Sequence, residues 1–372
     1  MVNMNGLTLN KRCNKLKDWS LKTPKISYCH RYSTLKKQEM KRILTLITFL
    51  TVLFFQNSFG QIETVNEVDS MNAICKEVLD KITDYEIILL GESHFDSLTT
   101  IFEMNIIKKS IKEYGVRHIG LEFPESIGNE LLKEYRKNPN AELKDKPEYL
   151  QSLYSWFRSI DAGNENLPEN EQAMPFFFDM QKKDIYNANC EDGNWICTKM
   201  IKAQSSYFKD REPIIEKNIK TIIDERKGKV LIITGRDHIY KNAIYFGIPE
   251  LAKQLKEKPN QTPMVPWNDG ILEFPGLILD DVIFYHKPVG LRLTESYGVE
   301  KNLSIFVNSK DNNAINEFLS KNNNKIPTVV YTSERLYDNV FLGVKNNGLY
   351  KLIIDNQNIP VSKMFDIYIQ LK

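Results

Sequence analysis

The chain is 372 residues long and 42% hydrophobic, with 50 Lys and Arg against 48 Asp and Glu, a formal net charge of +2. That size and composition support a substantial core and exclude a disordered or fibrous chain. The charge is unevenly spread: residues 1–60 hold 11 of the basic and 2 of the acidic residues, so residues 61–372 carry 39 against 46, a net of −7, which gives no electrostatic reason to expect nucleic acid as a partner.

Met40-Lys41-Arg42 opens a basic segment, Ile43 to Phe55 is apolar, and Ser58-Phe59-Gly60 places small residues before Gln61. This pattern predicts a signal peptide over 40–60 and a periplasmic or secreted protein. The apolar stretch is shorter than the ~20 residues a spanning helix needs, so the mature part is expected to lack a transmembrane segment. Residues 1–39 read as an upstream extension foreign to the native protein, and no cysteine stands at the cleavage site to accept a lipid. The mature part keeps Cys75, Cys190 and Cys197; the last two either close a short disulfide loop or stay reduced, and their spacing does not suit zinc.

From Tyr85 the elements alternate. A strand over 85–91 is followed by a helix from Ser97 to Tyr114, capped by Asp96 or Ser97, with Ile101, Met104, Ile107 and Ile111 as its buried stripe. Gly115 ends that helix, Val116 to Phe123 forms a second strand, and Pro124 and Ser126 open a helix to Tyr135. Residues 137–174 break the rhythm and carry Tyr149, Tyr154, Trp156 and Phe157; they form either a lid over the crevice or a small helical pair on the edge. Pro175 to Asp179 is a third strand, and an amphipathic stretch from Trp195 to Glu225 leads to a strand over 230–235. Helical pattern resumes near Tyr240, and Ile248-Pro249-Glu250 opens a short helix through Leu255. Beyond 260 come β-rich runs at 279–285, 303–307, 327–331 and 349–354, which extend the sheet or form a second unit. The expected fold is α/β, a mainly parallel sheet covered by helices on both faces. It occupies 61–260 with a lid-like insertion at 137–174, and 261–372 forms a β-rich C-terminal extension.

Two motifs stand where such a sheet binds ligands. Gly91-Glu92-Ser93-His94 follows Ile87-Ile88-Leu89-Leu90, and Gly235-Arg236-Asp237-His238 follows Val230-Leu231-Ile232-Ile233. A turn at the carboxyl end of a strand faces the crevice of an open α/β sheet. Gly115-Val116-Arg117-His118 has the same spelling, but its glycine opens a strand, so His118 reads as a packed histidine. Glu92, Glu122 and Asp179 also fall at strand ends, where a carboxylate losing hydration needs a partner or ligand. Three carboxylates with two histidines suit either a divalent metal or general-base activation of water. Arg211, in Asp210-Arg211-Glu212, reads from spacing alone as a surface residue. No Gly-x-Ser-x-Gly elbow, phosphate loop or dinucleotide fingerprint is present.

Leu89-Leu90-Gly91-Glu92-Ser93-His94, then Gly120-Leu121-Glu122, Phe178-Asp179-Met180-Gln181, Arg211-Glu212, and Ile233-Thr234-Gly235-Arg236-Asp237-His238 continued by Gly247-Ile248-Pro249, resemble in order the Tiki superfamily over 85–255. That group joins Tiki and TraB-type proteins, ChaN-like haem-binding proteins and the erythromycin esterases. The resemblance implies a site of Glu92, His94, Glu122, Arg211 and His238, and it moves Arg211 from surface to site. Tiki-type chemistry implies a divalent metal (Mn, Co or Zn) on Glu92, His94, Glu122 and His238, whereas the esterases imply a histidine and glutamates activating water. The leading expectation is an exported hydrolase acting on an ester, lactone or peptide bond of a small-molecule or peptide substrate, with Glu92, His94, Glu122, Asp179, Arg211 and His238 as catalytic candidates. The alternative is a ChaN-like haem- or iron-binding protein of an uptake system, with Tyr240, Tyr245 and the aromatic insertion as available haem contacts.

Overall fold

The computed structural model describes residues 65–92, 94, 96–141, 143, 145–180, 197–267, 270–309, 329–333, 346–347, 350–353 and 359–371. The chain divides into two units, 1–68 and 69–372. Of the first, only 65–68 are described, so the leader at 40–60 and the extension at 1–39 lie outside the described residues, as does Cys190. Among the described residues no helix is long and apolar enough to cross a membrane.

After helix α1 (Val65–Ile82), the apolar run at 87–90 forms strand β1 (Ile87–Glu92), buried throughout. Helix α2 (Ser97–Tyr114), strand β2 (Val116–Pro124), helices α3 (Glu125–Lys137) and α4 (Glu148–Asn164), strand β3 (Met174–Asp179), helix α5 (Thr198–Glu225) and strand β4 (Lys229–Gly235) follow. The remainder holds β5 (Ile244–Gly247), α6 (Pro249–Glu257), β6 (Met264–Trp267), β7 (Gly270–Glu273), α7 (Leu279–Val282), β8 (Ile283–His286) and α8 (Val289–Tyr297). It closes with β9 (Asn302–Asn308), β10 (Val329–Tyr331), β11 (Asn346–Asn347), β12 (Tyr350–Ile353) and β13 (Ile367–Gln370).

The main sheet has seven strands in the order β10-β13-β9-β1-β4-β2-β3, parallel except for the β10–β13 edge pair. This is the expected α/β class. Side-chain alternation divides β1 between two cores: Ile88 and Leu90 pack with α1, α2 and α4, and Ile87 and Leu89 with α5 and α8. All four are at most 1% exposed, and burying each contributes about 1.5–3 kcal/mol, which makes β1 a firm central support for whatever stands at its end. Helix α2 starts where the Asp96 carboxylate accepts the Thr99 amide at 3.0 Å, and stops at Gly115, whose φ of 72° is left-handed.

Several local expectations change. Ile101 on α2 is 38% exposed, and the buried face instead runs through Phe102, Glu103, Ile106, Ile107 and Ile111. A buried carboxyl on that face disguised its periodicity. The insertion is no lid: α4 buries Leu153, Tyr154, Trp156, Phe157 and Ile160 in the core beside α2, and the Trp156 indole donates to Glu103 at 2.9 Å. Where helix was expected after Tyr240, β5 forms, because it pairs antiparallel with both β8 and β12. Of the two readings of the tail, extension of the sheet is met by β9, β10 and β13, while β8, β11 and β12 join β5 from before residue 260 in a four-stranded sheet. Its first β-rich run is split between α7 and β8, and α8 was not anticipated. The interior Pro213 leaves α5 continuous despite lacking an amide donor. His118 bonds the Lys227 carbonyl at 3.1 Å, a packed histidine as expected.

Candidate active site

The carboxyl ends of β1, β2, β3 and β4 lie side by side, and the expected residues meet there. Glu92, the last residue of β1, is opposite Gly235 in the β4 register. Glu122 lies where the β2–β3 register slips between Leu121 and Pro124, an irregularity of the kind that re-aims a side chain. Its Oε2 accepts the Gly235 amide at 2.5 Å and the Thr234 hydroxyl at 2.6 Å. Its Oε1 faces three nitrogens: Arg211 Nη2, which donates to it, His238 Nε2 at 3.4 Å and His94 Nε2 at 3.8 Å.

Arg211 reaches this point from α5. Its guanidinium grips Asp179 with two hydrogen bonds, Nε to Oδ1 at 2.7 Å and Nη2 to Oδ2 at 2.9 Å. The Tyr207 ring, one turn earlier on the helix, lies 5.5 Å from the guanidinium carbon. Arg211 is therefore largely enclosed among carboxylates, its side chain 11% exposed, contrary to its reading from spacing alone, because its strand-end partners come from distant parts of the chain. The bidentate geometry suits arginine and not lysine.

The two histidines differ. His94 Nδ1 is 2.6 Å from Glu92 Oε1, and 46% of the His94 side chain is open to solvent. His238 is buried, with Nδ1 2.5 Å from Glu212 Oε1. Burial alone would lower the proton affinity of His238, but Glu212 and Glu122 outweigh it and raise its pKa to about 10. At neutral pH it is an imidazolium. Burial would raise Glu122, yet His238, Arg211 and His94 hold it well below the usual carboxylate range. Glu92 is pushed up by burial against the lowering effect of its bond to His94. His94 is also raised: burial works against this, and the bond to Glu92 with the charges of Glu122 and Glu92 prevails.

Glu212 and His286 complete the cluster and were not anticipated. His286 Nε2 lies 3.7 Å from Glu212 Oε1. Both left a signal. Glu212 falls on the same α5 stripe as Ile215 and Ile219, an apolar face where a carboxylate is out of place, and His286 closes the strand Ile283–His286 as His94 and His238 follow theirs.

The donor set does not fit the metal implied for Glu92, His94, Glu122 and His238. The oxygens of Glu122 are engaged by Arg211, Thr234 and Gly235, and the Arg211 guanidinium bridges Glu122 and Asp179. Among the described residues no three His, Cys, Asp or Glu side chains group to hold a metal ion. Of the aromatic residues available as haem contacts, Tyr240 is buried beside Phe306 and Phe365, Tyr154, Trp156 and Phe157 are core residues, and Tyr149 is 40% exposed. The Tyr245 side chain lies outside the described residues.

No protein-family model matches the chain, and no curated protein matches it in sequence. Among solved structures it is similar to a Bacillus cereus protein, at 13% identity over 81% of this chain and 91% of that one, with a TM-score of 0.48. It is similar to an erythromycin esterase variant in its open conformation, at 10% identity over 79% and 92%, with a TM-score of 0.43. A third is ChaN of Campylobacter jejuni, described with cofacially bound haem, at 12% identity over 63% and 85%, with a TM-score of 0.31. At such identities and TM-scores none of these likenesses assigns an activity to this chain.

Proposed function

We propose that this protein is a hydrolase that opens an ester or lactone bond with water activated by His94 and with no metal ion in the step. The observation that carries this is the Glu92–His94 pair: a buried carboxylate 2.6 Å from Nδ1 of a half-open imidazole, beside a buried His238 and a largely enclosed Arg211 in the same cluster. Glu92 holds His94 in the tautomer with the proton on Nδ1, which leaves Nε2 to take a proton from water. The resulting hydroxide adds to the ester carbonyl. Arg211 and the His238 imidazolium supply fixed positive charge where the oxyanion develops. His94 Nε2–H then passes its proton to the departing alkoxide, giving one acid and one alcohol from one ester and one water. Glu122 and Asp179 hold the two cations in place.

On the strength of the ordered motifs over 85–255 we also place the chain in the Tiki superfamily, and from the pattern at 40–60 we take it to act after export. The test is a panel of aryl esters, alkyl esters, macrolactones and peptides with the purified protein and its His94→Ala variant. Ester or lactone turnover that falls at least about 100-fold in the variant, with an unchanged circular dichroism spectrum, supports the reading. Absence of turnover on every ester and lactone, or an equally active variant, refutes it. A stoichiometric Soret band on haem addition without hydrolysis would point to haem handling instead.

A further inference from the structure

His238 has a built back wall that the proton transfers above do not use. Its ring lies between two carboxylates, Nδ1 2.5 Å from Glu212 Oε1 and Nε2 3.4 Å from Glu122 Oε1. Glu212 is 2% exposed, and its Oε2 accepts the Val289 amide at 2.7 Å. That amide opens α8, whose next residue is pressed against the segment after His238. A Cβ on Gly290 would stand 2.3 Å from the Ile239 carbonyl oxygen and 2.9 Å from that of Tyr240. Asn302 Nδ2 donates to the Gly290 carbonyl at 3.1 Å, and Ser304 Oγ to that of Ile239 at 2.9 Å. The backbone that anchors Glu212 and the backbone that carries His238 are thus clamped together. On the far side, His286 is 6% exposed with Nε2 3.7 Å from Glu212 Oε1, beyond hydrogen-bond length, and burial lowers its pKa so that it packs beside the carboxylate as a neutral ring.

Desolvating a carboxylate costs several kcal/mol, and an apolar residue on this stripe of α5 would pack beside Ile215 and Ile219 without that cost. Stability alone does not call for Glu212. We propose that Glu212 is a positioning residue for His238, with His286 backing the carboxylate. The Glu212 charge beside Nδ1, with Glu122 beside Nε2, holds the imidazole in place with both ring nitrogens protonated, so His238 meets the substrate as a fixed cation while His94 alone serves as base. The small sheet and the start of α8, which come from the C-terminal part of the chain, thereby complete the site. This deepens the hydrolase reading and rests on it for the kinetic measurement only.

The experiment pairs kinetics with imidazole nitrogen spectra. The chain has five histidines, few enough to assign in ¹⁵N-histidine-labelled protein. In the wild type at neutral pH both ring nitrogens of His238 carry protons. In Glu212→Gln one of them is expected to lose its proton, with kcat down by about 100-fold and KM within about threefold. Glu212→Asp, which keeps the charge, recovers part of kcat and the wild-type nitrogen pattern. A merely structural role would lower stability without moving those signals. Glu212→Gln with unchanged kcat and two protonated nitrogens on His238 overturns the proposal. Should both Glu212 variants fail to fold, His286→Ala decides through the same spectrum: a shifted His238 signal supports the proposal and an unshifted one ends it. If no ester is turned over, the hydrolase reading fails while the nitrogen spectra still judge this one.

Discussion

Gly235→Ala separates catalysis from stability in one substitution. A Cβ on Gly235 would lie 2.8 Å from His94 Nε2, 3.2 Å from His94 Cε1 and 3.5 Å from Glu122 Oε2. Restoring an ordinary contact of about 3.5 Å requires the imidazole to retreat by roughly 0.7 Å, while Glu122 needs no adjustment. The backbone accepts alanine, since Gly235 has φ −58° and ψ 142°. His94 is half open, so its ring moves outward without disturbing the core. The folded state should therefore hold its melting temperature, or gain up to about 1 kcal/mol from reduced freedom of the unfolded chain. Catalysis should suffer, because displacing a base by about 1 Å can cost on the order of 100-fold. The assay is kcat and kcat/KM on the best ester of the panel, with a thermal melt on the same sample. A loss of kcat at unchanged melting temperature is expected. Undiminished turnover in a folded variant would refute His94 as the base, and a collapsed melting temperature would refute the packing argument.

Other consequences follow from the charge cluster. Arg211→Lys cannot reproduce the two bonds to Asp179 together with the one to Glu122, so it should lose roughly 3 kcal/mol of stability by chemical denaturation and most activity; a variant as stable as wild type would contradict the clamp. The pH profile of kcat/KM should be bell-shaped. Its acid limb reflects His94, which must be neutral to act and titrates above its ordinary 6.5, and its alkaline limb reflects loss of the His238 proton near about 10. An acid limb below 6.5 would count against the Glu92–His94 pairing. Stability should follow the same groups: the Glu122 contribution is present above about 4.5 and fades only as pH falls through its depressed folded value, and that of His238 is complete below about 6.5 and lost as pH rises through about 10. Dialysis against a chelator should leave the ester rate unchanged, since Arg211, Thr234 and Gly235 already engage the Glu122 oxygens; activity restored only by added Mn²⁺, Co²⁺ or Zn²⁺ would overturn that.

Local order along the chain was legible where one residue's surroundings are set by its sequence neighbours. The apolar runs at 87–90 and 230–233, the Asp96 cap and the Gly115 stop each appear where periodicity and capping place them. Expectations slipped where a polar residue is buried by partners far along the chain. Glu103 hides the true face of α2 because its partner, Trp156, comes from α4. Glu212 drew no attention in the sequence because His238 and Val289 are brought to it only by the fold.

The sequence by itself determined the strand ends, and with them Glu92, His94, Glu122, Asp179 and His238 as candidates, because the carboxyl end of an apolar strand is a local feature with a known place in an α/β sheet; Arg211, inside α5, came only from the family resemblance. Only the tertiary structure decided what those residues do to one another. Which histidine is half open and which is buried between two carboxylates depends on strand order, on the clamp between α8 and the segment after β4, and on an arginine reaching across from α5. Charge–charge effects depend on distance and burial, neither of which is written in the linear order of residues.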